Sequence, residues 1–465
     1  MSALETSSPT NTSPPVRKRR WWLVVLFWLG ISAISFLLVG SALCGVFLWN
    51  AKQELAVEIA HVRASGAPLT SVELNESYQP EPGKRDITDE FINALAIFDD
   101  ADLWATGATL PYVGAGDKPE STAADWPQLE EAKVFLERHR ALLQFVETLE
   151  DQDVTVRFPT DLSLGLLARL EHQLQLVQVV KLLRLQLRVD WFEQRRERTV
   201  NCLRQQIVLA NLLQHDPPAV AQLVRNAMFG IACTDLEWAI GNVQLPDEDW
   251  QQLQLAFRSL NGLESLALML DGERAIDYTT CTWPLAAVEH QATSNREYVD
   301  KHLAAGPQRP WDCALLLAYF RRIEHAADQS YYSALQEGEA VSQDLRTLLR
   351  SRRQRLYIYT GLMTPPVPLM IKSSARQAAR TAATDAGIAV VRYRHAHAEW
   401  PTQLADLVPE YLPELPVDPF SDQPLLVAAV NDEFKVYSVG ENGIDDGGTW
   451  DEEDSADVGF AVTAK

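Results

Sequence analysis

Between Trp21 and Asn50 the chain carries no charged side chain. The apolar run from Trp21 to Trp49 is longer than the roughly 20 residues a helix needs to cross the hydrocarbon layer, so it reads as a transmembrane helix over 21–49. Trp21, Trp22 and Trp49 stand where indole rings favour the two lipid–water interfaces. Arg17, Lys18, Arg19 and Arg20 lie just ahead of the run. Basic flanks stay on the cytoplasmic side, which predicts a short cytoplasmic tail and export of everything from about Ala51 onward. A cleaved signal peptide is the competing reading, but the run is long for its apolar region and no small-x-small site ends it. Ser41-Ala42-Leu43-Cys44 is a poor lipidation site, because Leu43 stands where a small residue is needed and apolar sequence continues beyond Cys44.

The chain's net charge is −22, and residues 1–20 contribute +3, so −25 belongs to the exported part. Nucleic acid and anionic lipid surfaces both require the opposite sign, so no nucleic-acid partner is expected. Residues 1–20 read as a disordered cytoplasmic tail, rich in Ser, Thr and Pro up to Val16. Cys202, Cys233, Cys281 and Cys313 would lie where disulfides persist; they allow two bridges in three pairings, and equally allow buried free thiols.

The expected fold class is mainly α: the transmembrane helix, a large antiparallel α-helical domain over 51–362, and a small C-terminal α+β module over 371–465. Leu167, Leu170, Leu174, Val177, Val180, Leu183 and Leu187 recur at three- and four-residue steps, a stripe that packs on other helices. Further helices are expected over about 192–215, 219–241, 247–269 and 311–354, with antiparallel hairpins as the natural packing of long amphipathic helices on short connections. No fixed-length repeat stands out. Thr364-Pro365-Pro366-Val367-Pro368 marks the boundary before the last module. There, Ala375, Ala379, Ala382, Ala386, Ala389 and Tyr393 line one helix face with mostly small residues, so a sheet can approach closely. The helix should end near Glu399, ahead of Trp400-Pro401. Two strands are predicted, over about 424–430 and 433–439, with Asn431-Asp432 as a hairpin turn.

The last 90 or so residues resemble the globular head of the major, G-type pseudopilin of bacterial type II secretion. The matching residues are Tyr393-Arg394, Trp400-Pro401, Leu404 to Leu407, Asp418-Pro419-Phe420, and Tyr437-Ser438-Val439-Gly440-Glu441-Asn442-Gly443. The chain departs from that family upstream. Its apolar helix lies some 320 residues before the head and lacks the glutamate that follows a prepilin peptidase cut, so assembly into a pseudopilus does not carry over. The whole chain also resembles uncharacterised bacterial membrane-anchored proteins that join a helical region to such a head, through Gly66-Ala67-Pro68-Leu69-Thr70 with Leu74 and through Gly272-Glu273-Arg274-Ala275. In a bacterium the predicted placement is the inner membrane, single-pass, with the N-terminus cytoplasmic and the C-terminal part periplasmic.

The acidic C-terminal loop is the expected site. Asp445, Asp446, Asp451, Glu452, Glu453, Asp454 and Asp457 crowd around glycines, and Ca²⁺ prefers six to eight oxygen ligands in a pliable loop. The pseudopilin resemblance implies one structural Ca²⁺ held by Asp454, Asp457 and the carbonyl of Val439. A solvated acidic tail fits the same residues equally well. His395 and His397, Glu171 with His172, and Glu324 with His325 are adjacent or two apart on helices, so their side chains diverge. Asp271, Glu273 and Arg274 read as ion-paired. No phosphate-cradling loop, G-x-S-x-G or H-E-x-x-H occurs, and no catalytic residue is assigned. The expected function is non-enzymatic: a structural or interaction component of the cell envelope or of a secretion-type apparatus. Its partners are the lipid bilayer through the N-terminal helix and envelope or secretion-type proteins. The alternative is an exported hydrolase with its active site in the helical domain.

Overall fold

The computed structural model of the protein describes residues 21–99, 105–119, 126–149, 153–258, 262–282, 309–430, 432–450 and 456–463. The expected tail over 1–20 lies outside them. Residues Met1–Gln53 and Glu54–Lys465 are two compact units.

The first helix, α1, runs Trp21–Ser65. Over its apolar part most side chains are exposed: Phe36 is 80% exposed and Trp21 71%. Apolar area left in water costs about 25 cal/mol per Å², so this stretch calls for a non-aqueous environment. Among the described residues it is the helix long and apolar enough to cross a membrane, as single-pass anchoring requires.

The second unit is mostly helical. Short helices come first: α2 (Ser71–Ser77), α3 (Thr88–Leu95), α4 (Leu129–Arg138) and α5 (Arg140–Glu147). Longer ones follow: α6 (Glu171–Phe192), α7 (Arg196–Asn211), α8 (Ala219–Asn242), α9 (Asp247–Arg258), α10 (Gly262–Thr282), α11 (Arg309–Ala327) and α12 (Tyr331–Arg350). The short α13 (Ile358–Met363) precedes the 31-residue α14 (Val367–His397). Consecutive pairs α6/α7, α7/α8, α10/α11 and α11/α12 pack on one another. Their buried Leu, Val, Phe and Ala side chains form two large apolar clusters.

Three local departures from the sequence pattern have physical causes. The stripe from Leu167 to Leu187 is rotated: α6 begins only at Glu171, behind a turn containing Gly165 at φ 56°, and Leu174 is 69% exposed. The face that packs instead carries His172, Leu176, Val179, Val180, Leu183 and Leu187. The expected 247–269 helix is two, α9 and α10. Gly262 starts the second because a Cβ there would come 2.7 Å from the Tyr331 hydroxyl. The expected 311–354 helix is also two, since the Ser330 side chain accepts from the Ser333 amide and caps a fresh start.

Pro366 caps the start of α14 and Pro368 lies in its first turn, where a missing N–H costs nothing. Ala398, at φ 62°, ends the helix close to the predicted Glu399. Strands β1 (Arg85–Asp86) and β2 (Val154–Thr155) form a short parallel pair. In the C-terminal region β3 (Leu426–Val430) and β4 (Glu433–Ser438) pair antiparallel, with Val430 opposite Glu433. A third strand that the pattern did not signal, β5 (Val458–Thr463), adds to β4 with Ser438 opposite Val458. The sheet packs on α14, in which Ala375, Ala379, Ala386 and Ala389 are fully buried. At Gly387 a Cβ would sit 2.3 Å from Phe460 Cδ1. Other faces of α14 pack on α8, α9 and α12, so the sheet-bearing segment and the long helices belong to one compact unit.

Candidate functional site

The C-terminal loop is organised by Asp418, one residue before the turn proline. Its Oδ1 accepts from the Phe420 amide (2.8 Å) and the Ser438 hydroxyl (2.6 Å). Its Oδ2 accepts from the Val439 amide and the Ser421 hydroxyl, both at 3.1 Å. A carboxylate 1% exposed thus ties the Asp-Pro-Phe turn to the end of β4. Next along the chain Gly440, at φ 62°, lies so close to the Ala456 carbonyl that a Cβ would fall 1.8 Å from its oxygen. Only glycine meets both demands.

That approach brings two of the three expected Ca²⁺ ligands together. Val439 and Asp457 directly extend the Ser438–Val458 pair at the sheet end. Asp454 lies outside the described residues, as do Asp451, Glu452 and Glu453. Asp457 Oδ2 accepts from the amides of Gly448 (2.8 Å) and Thr449 (3.4 Å). Its Oδ1 is buried and finds no partner among the described residues, and burial raises its pKa above the usual carboxylate range. Asp446 Oδ2 accepts from the Ala456 amide and the Asn442 side chain, while Asp445 Oδ1 accepts from Tyr437 and the Gly447 amide. These two carboxylates therefore fold the loop, and one orphaned oxygen on Asp457 has the chemistry of a cation ligand. Among the described residues no three His, Cys, Asp or Glu side chains form a metal-holding group.

Elsewhere the singled-out pairs diverge. Glu171 is exposed, while His172 is buried and stacks on Phe158 at 4.2 Å; with no partner for its charge, burial drives its pKa down to about 4. His325 is exposed on α11, whereas Glu324 turns inward onto Arg274. His397 packs on Tyr393, and His395 points to solvent. Cys202, Cys233, Cys281 and Cys313 are buried free thiols.

Arg274 is the hub of the ion-pair cluster. It is 1% exposed, pairs with Asp271 at 2.7 Å and with Glu324, and donates from Nη2 to the Pro68 carbonyl. Next to it on α10, Ser71 donates to the Ala275 carbonyl, and Thr279 accepts from the Ser71 amide. The Gly66–Thr70 and Gly272–Ala275 motifs are thus one structural element. Gly272 lets α10 approach the Pro217 carbonyl, which a Cβ would meet at 2.1 Å.

Several cavities border the helices, and two of them lie between helices far apart in the chain. One of about 590 Å³ lies between α4, α5, α6 and α7 and is lined by charges of both signs. Its buried acid, Asp190, has a raised pKa from burial, yet accepts from Gln186 (2.7 Å) and Arg195 (3.1 Å). The other, of about 340 Å³, is bordered by α8, the last residues of α9, the first residues of α10, α14 and the Val417–Pro419 turn. Sequence patterns gave no hint of either, since each draws single residues from helices far apart in the chain. No protein-family model, no curated protein and no solved structure matches this chain.

Proposed function

We propose that the chain is a single-pass inner-membrane protein with a cytoplasmic N-terminus, and that it presents its acidic helical domain and a pseudopilin-head-like module in the periplasm. There it acts as a non-enzymatic structural or interaction component of the envelope or of a secretion-type apparatus. The uncovered apolar stretch of α1 behind Arg17–Arg20 carries this reading. The −25 charge of the remainder supports a protein partner over nucleic acid. The resemblance in the last 90 residues points to secretion-type proteins, and the consecutive packing of α6, α7 and α8 suits antiparallel hairpins. For the hydrolase alternative the most perturbed acid lining the larger cavity is Asp190, and Gln186 and Arg195 already hold its oxygens.

In this reading Asp457 and the Val439 carbonyl, with Asp454, are the residues that would hold a Ca²⁺, and the ion's role would be to neutralise and rigidify the loop. The test is a pair of reporter fusions after Lys465, one active only in the cytosol and one only outside it, combined with crosslinking in cells. Activity of the external reporter and a discrete crosslinked partner are the expected results. A cytosolic C-terminus would end the reading, and an uncrosslinked monomer would remove its interaction half.

A further inference from the structure

The smaller cavity contains a cation with nothing to balance it. Arg225, on α8, is 3% exposed. Its Nη1 donates to the Ser265 hydroxyl, and its guanidinium lies 4.9 Å from the Phe229 ring centre. Nε and Nη2 find no acceptor among the described residues, and no carboxylate pairs with it. Among the described residues the one acid lining the cavity, Asp385, is held by Arg258 through both oxygens at 3.0 and 2.8 Å. The wall therefore carries one uncompensated positive charge. Burial pulls that guanidinium's pKa down to about 10, the signature of a charge stripped of water without a partner.

The two unpartnered nitrogens are not a random pair. Nε–H and Nη2–H form one edge of the planar guanidinium and point the same way, which is the fork that takes both oxygens of a carboxylate side-on. A buried donor without an acceptor costs about 1–3 kcal/mol, more when charged, so this edge attracts an anion. Because Arg258 is neutralised, the charge suits a monoanion and not a dianion. The rest of the wall is largely apolar, with Phe257, Leu263 and Ala382 beside it. Binding pockets commonly combine such a wall with a few convergent polar groups.

We propose that this cavity binds a small monocarboxylate with an apolar body, its two oxygens taken by Nε and Nη2 of Arg225. The site is independent of the Ca²⁺ loop and of the membrane placement.

Calorimetry on the full chain in detergent tests it, using benzoate and octanoate against their neutral counterparts benzamide and octan-1-ol, with inorganic phosphate as the dianion-forming control. At least one carboxylate should bind saturably, at least tenfold tighter than its neutral counterpart and tighter than phosphate. Arg225→Met should erase that preference while keeping the circular dichroism spectrum. Its melting temperature should be unchanged or higher, because removing an unpaired buried charge removes a cost. Failure of both carboxylates to bind, equal binding of acid and neutral counterpart, or unaltered preference in Arg225→Met would each overturn the proposal. So would a marked fall in the variant's melting temperature, since it would mean that a carboxylate of the chain itself already balances Arg225.

Discussion

Arg274 Nη2 donates to the carbonyl oxygen of Pro68 at 3.2 Å, linking α10 to the turn that follows α1 across 206 residues of sequence. The same guanidinium holds Asp271 and Glu324, so one buried side chain fixes α10, α11 and the post-helix turn together. Removing one partner of a buried ion pair leaves the others uncompensated, at a cost of about 3–5 kcal/mol. Arg274→Ala is therefore expected to lower stability by that order in denaturant titrations and to expose the 66–70 turn to proteolysis. Arg274→Met, which keeps the packing volume, should still lose most of it. A loss below 1 kcal/mol in both variants would show that the cluster is peripheral.

Gly387 of α14 lies against Phe460 of β5, so close that a Cβ on Gly387 would fall 2.3 Å from Phe460 Cδ1. Phe460 is fully buried, and truncating such a ring costs about 3–5 kcal/mol. Gly387→Ala adds one methyl where Phe460 Cδ1 already stands at 2.3 Å, and overpacking of this kind costs about 1–3 kcal/mol. The two effects should not add. With Phe460→Ala in place, Gly387→Ala should become nearly neutral, because the ring it collides with is gone. Additive losses in the double-mutant cycle would mean that the strain lies elsewhere.

Much of this architecture was legible because it rests on local pattern. The uncharged run from Trp21, the alanine face of α14 and the β3–β4 hairpin each follow from a period or a composition visible within a dozen residues. What escaped depends on distant partners. Leu174 sits in the expected apolar stripe yet faces solvent, because the neighbours of α6 select the adjacent face through His172, Leu176 and Val179. Strand β5 was hidden behind an acidic run, and its pairing with β4 is set by tertiary contact. In the candidate site Val439 and Asp457 flank the paired Ser438 and Val458, but the Asp418 that organises the turn beside them read only as part of a turn. Arg225 gave no signal at all: an isolated arginine in a helix looks the same whether it meets water or an apolar wall.

Burial pushes Asp216 up to about 7, against the pull of Gln173, Tyr78 and Arg157. Glu273 and Asp277 on α10 are raised for the same reason. A carboxyl with a folded pKa above its unfolded value near 3.9 keeps its proton longer in the folded state. Stability is then highest at low pH within this window and falls as pH rises from about 4 to about 7. Acids with lowered pKa, such as Glu73 beside Arg63, act the other way but complete their effect below about pH 5. The chain should thus be more stable at pH 5 than at pH 8 by urea titration. Asp216→Asn should narrow that gap by about 1–2 kcal/mol, mainly by gaining stability at pH 8. An unchanged gap would place the proton elsewhere.

Asp418 and Asp457 both hold the C-terminal loop, but with different dependence. Four donors converge on Asp418, and two of them, the Phe420 amide and the Ser438 hydroxyl, are buried. Buried orphaned donors cost about 1–3 kcal/mol each, so Asp418→Ala should lose about 3 kcal/mol or more, and Asp418→Asn nearly as much, since its new N–H₂ would face amides. Asp457 serves two amides through one oxygen and leaves the other unpartnered, so Asp457→Asn can keep both bonds and relieve a buried charge. Without added Ca²⁺ the order of loss should therefore be Asp418→Ala, then Asp418→Asn, with Asp457→Asn close to the parent. With millimolar Ca²⁺ the parent and the Asp457 variant should separate, the parent melting higher and chelator abolishing the difference. If Ca²⁺ leaves the parent's melting temperature unmoved, the Asp457 oxygen is a structural orphan and the loop is held by Asp418 alone.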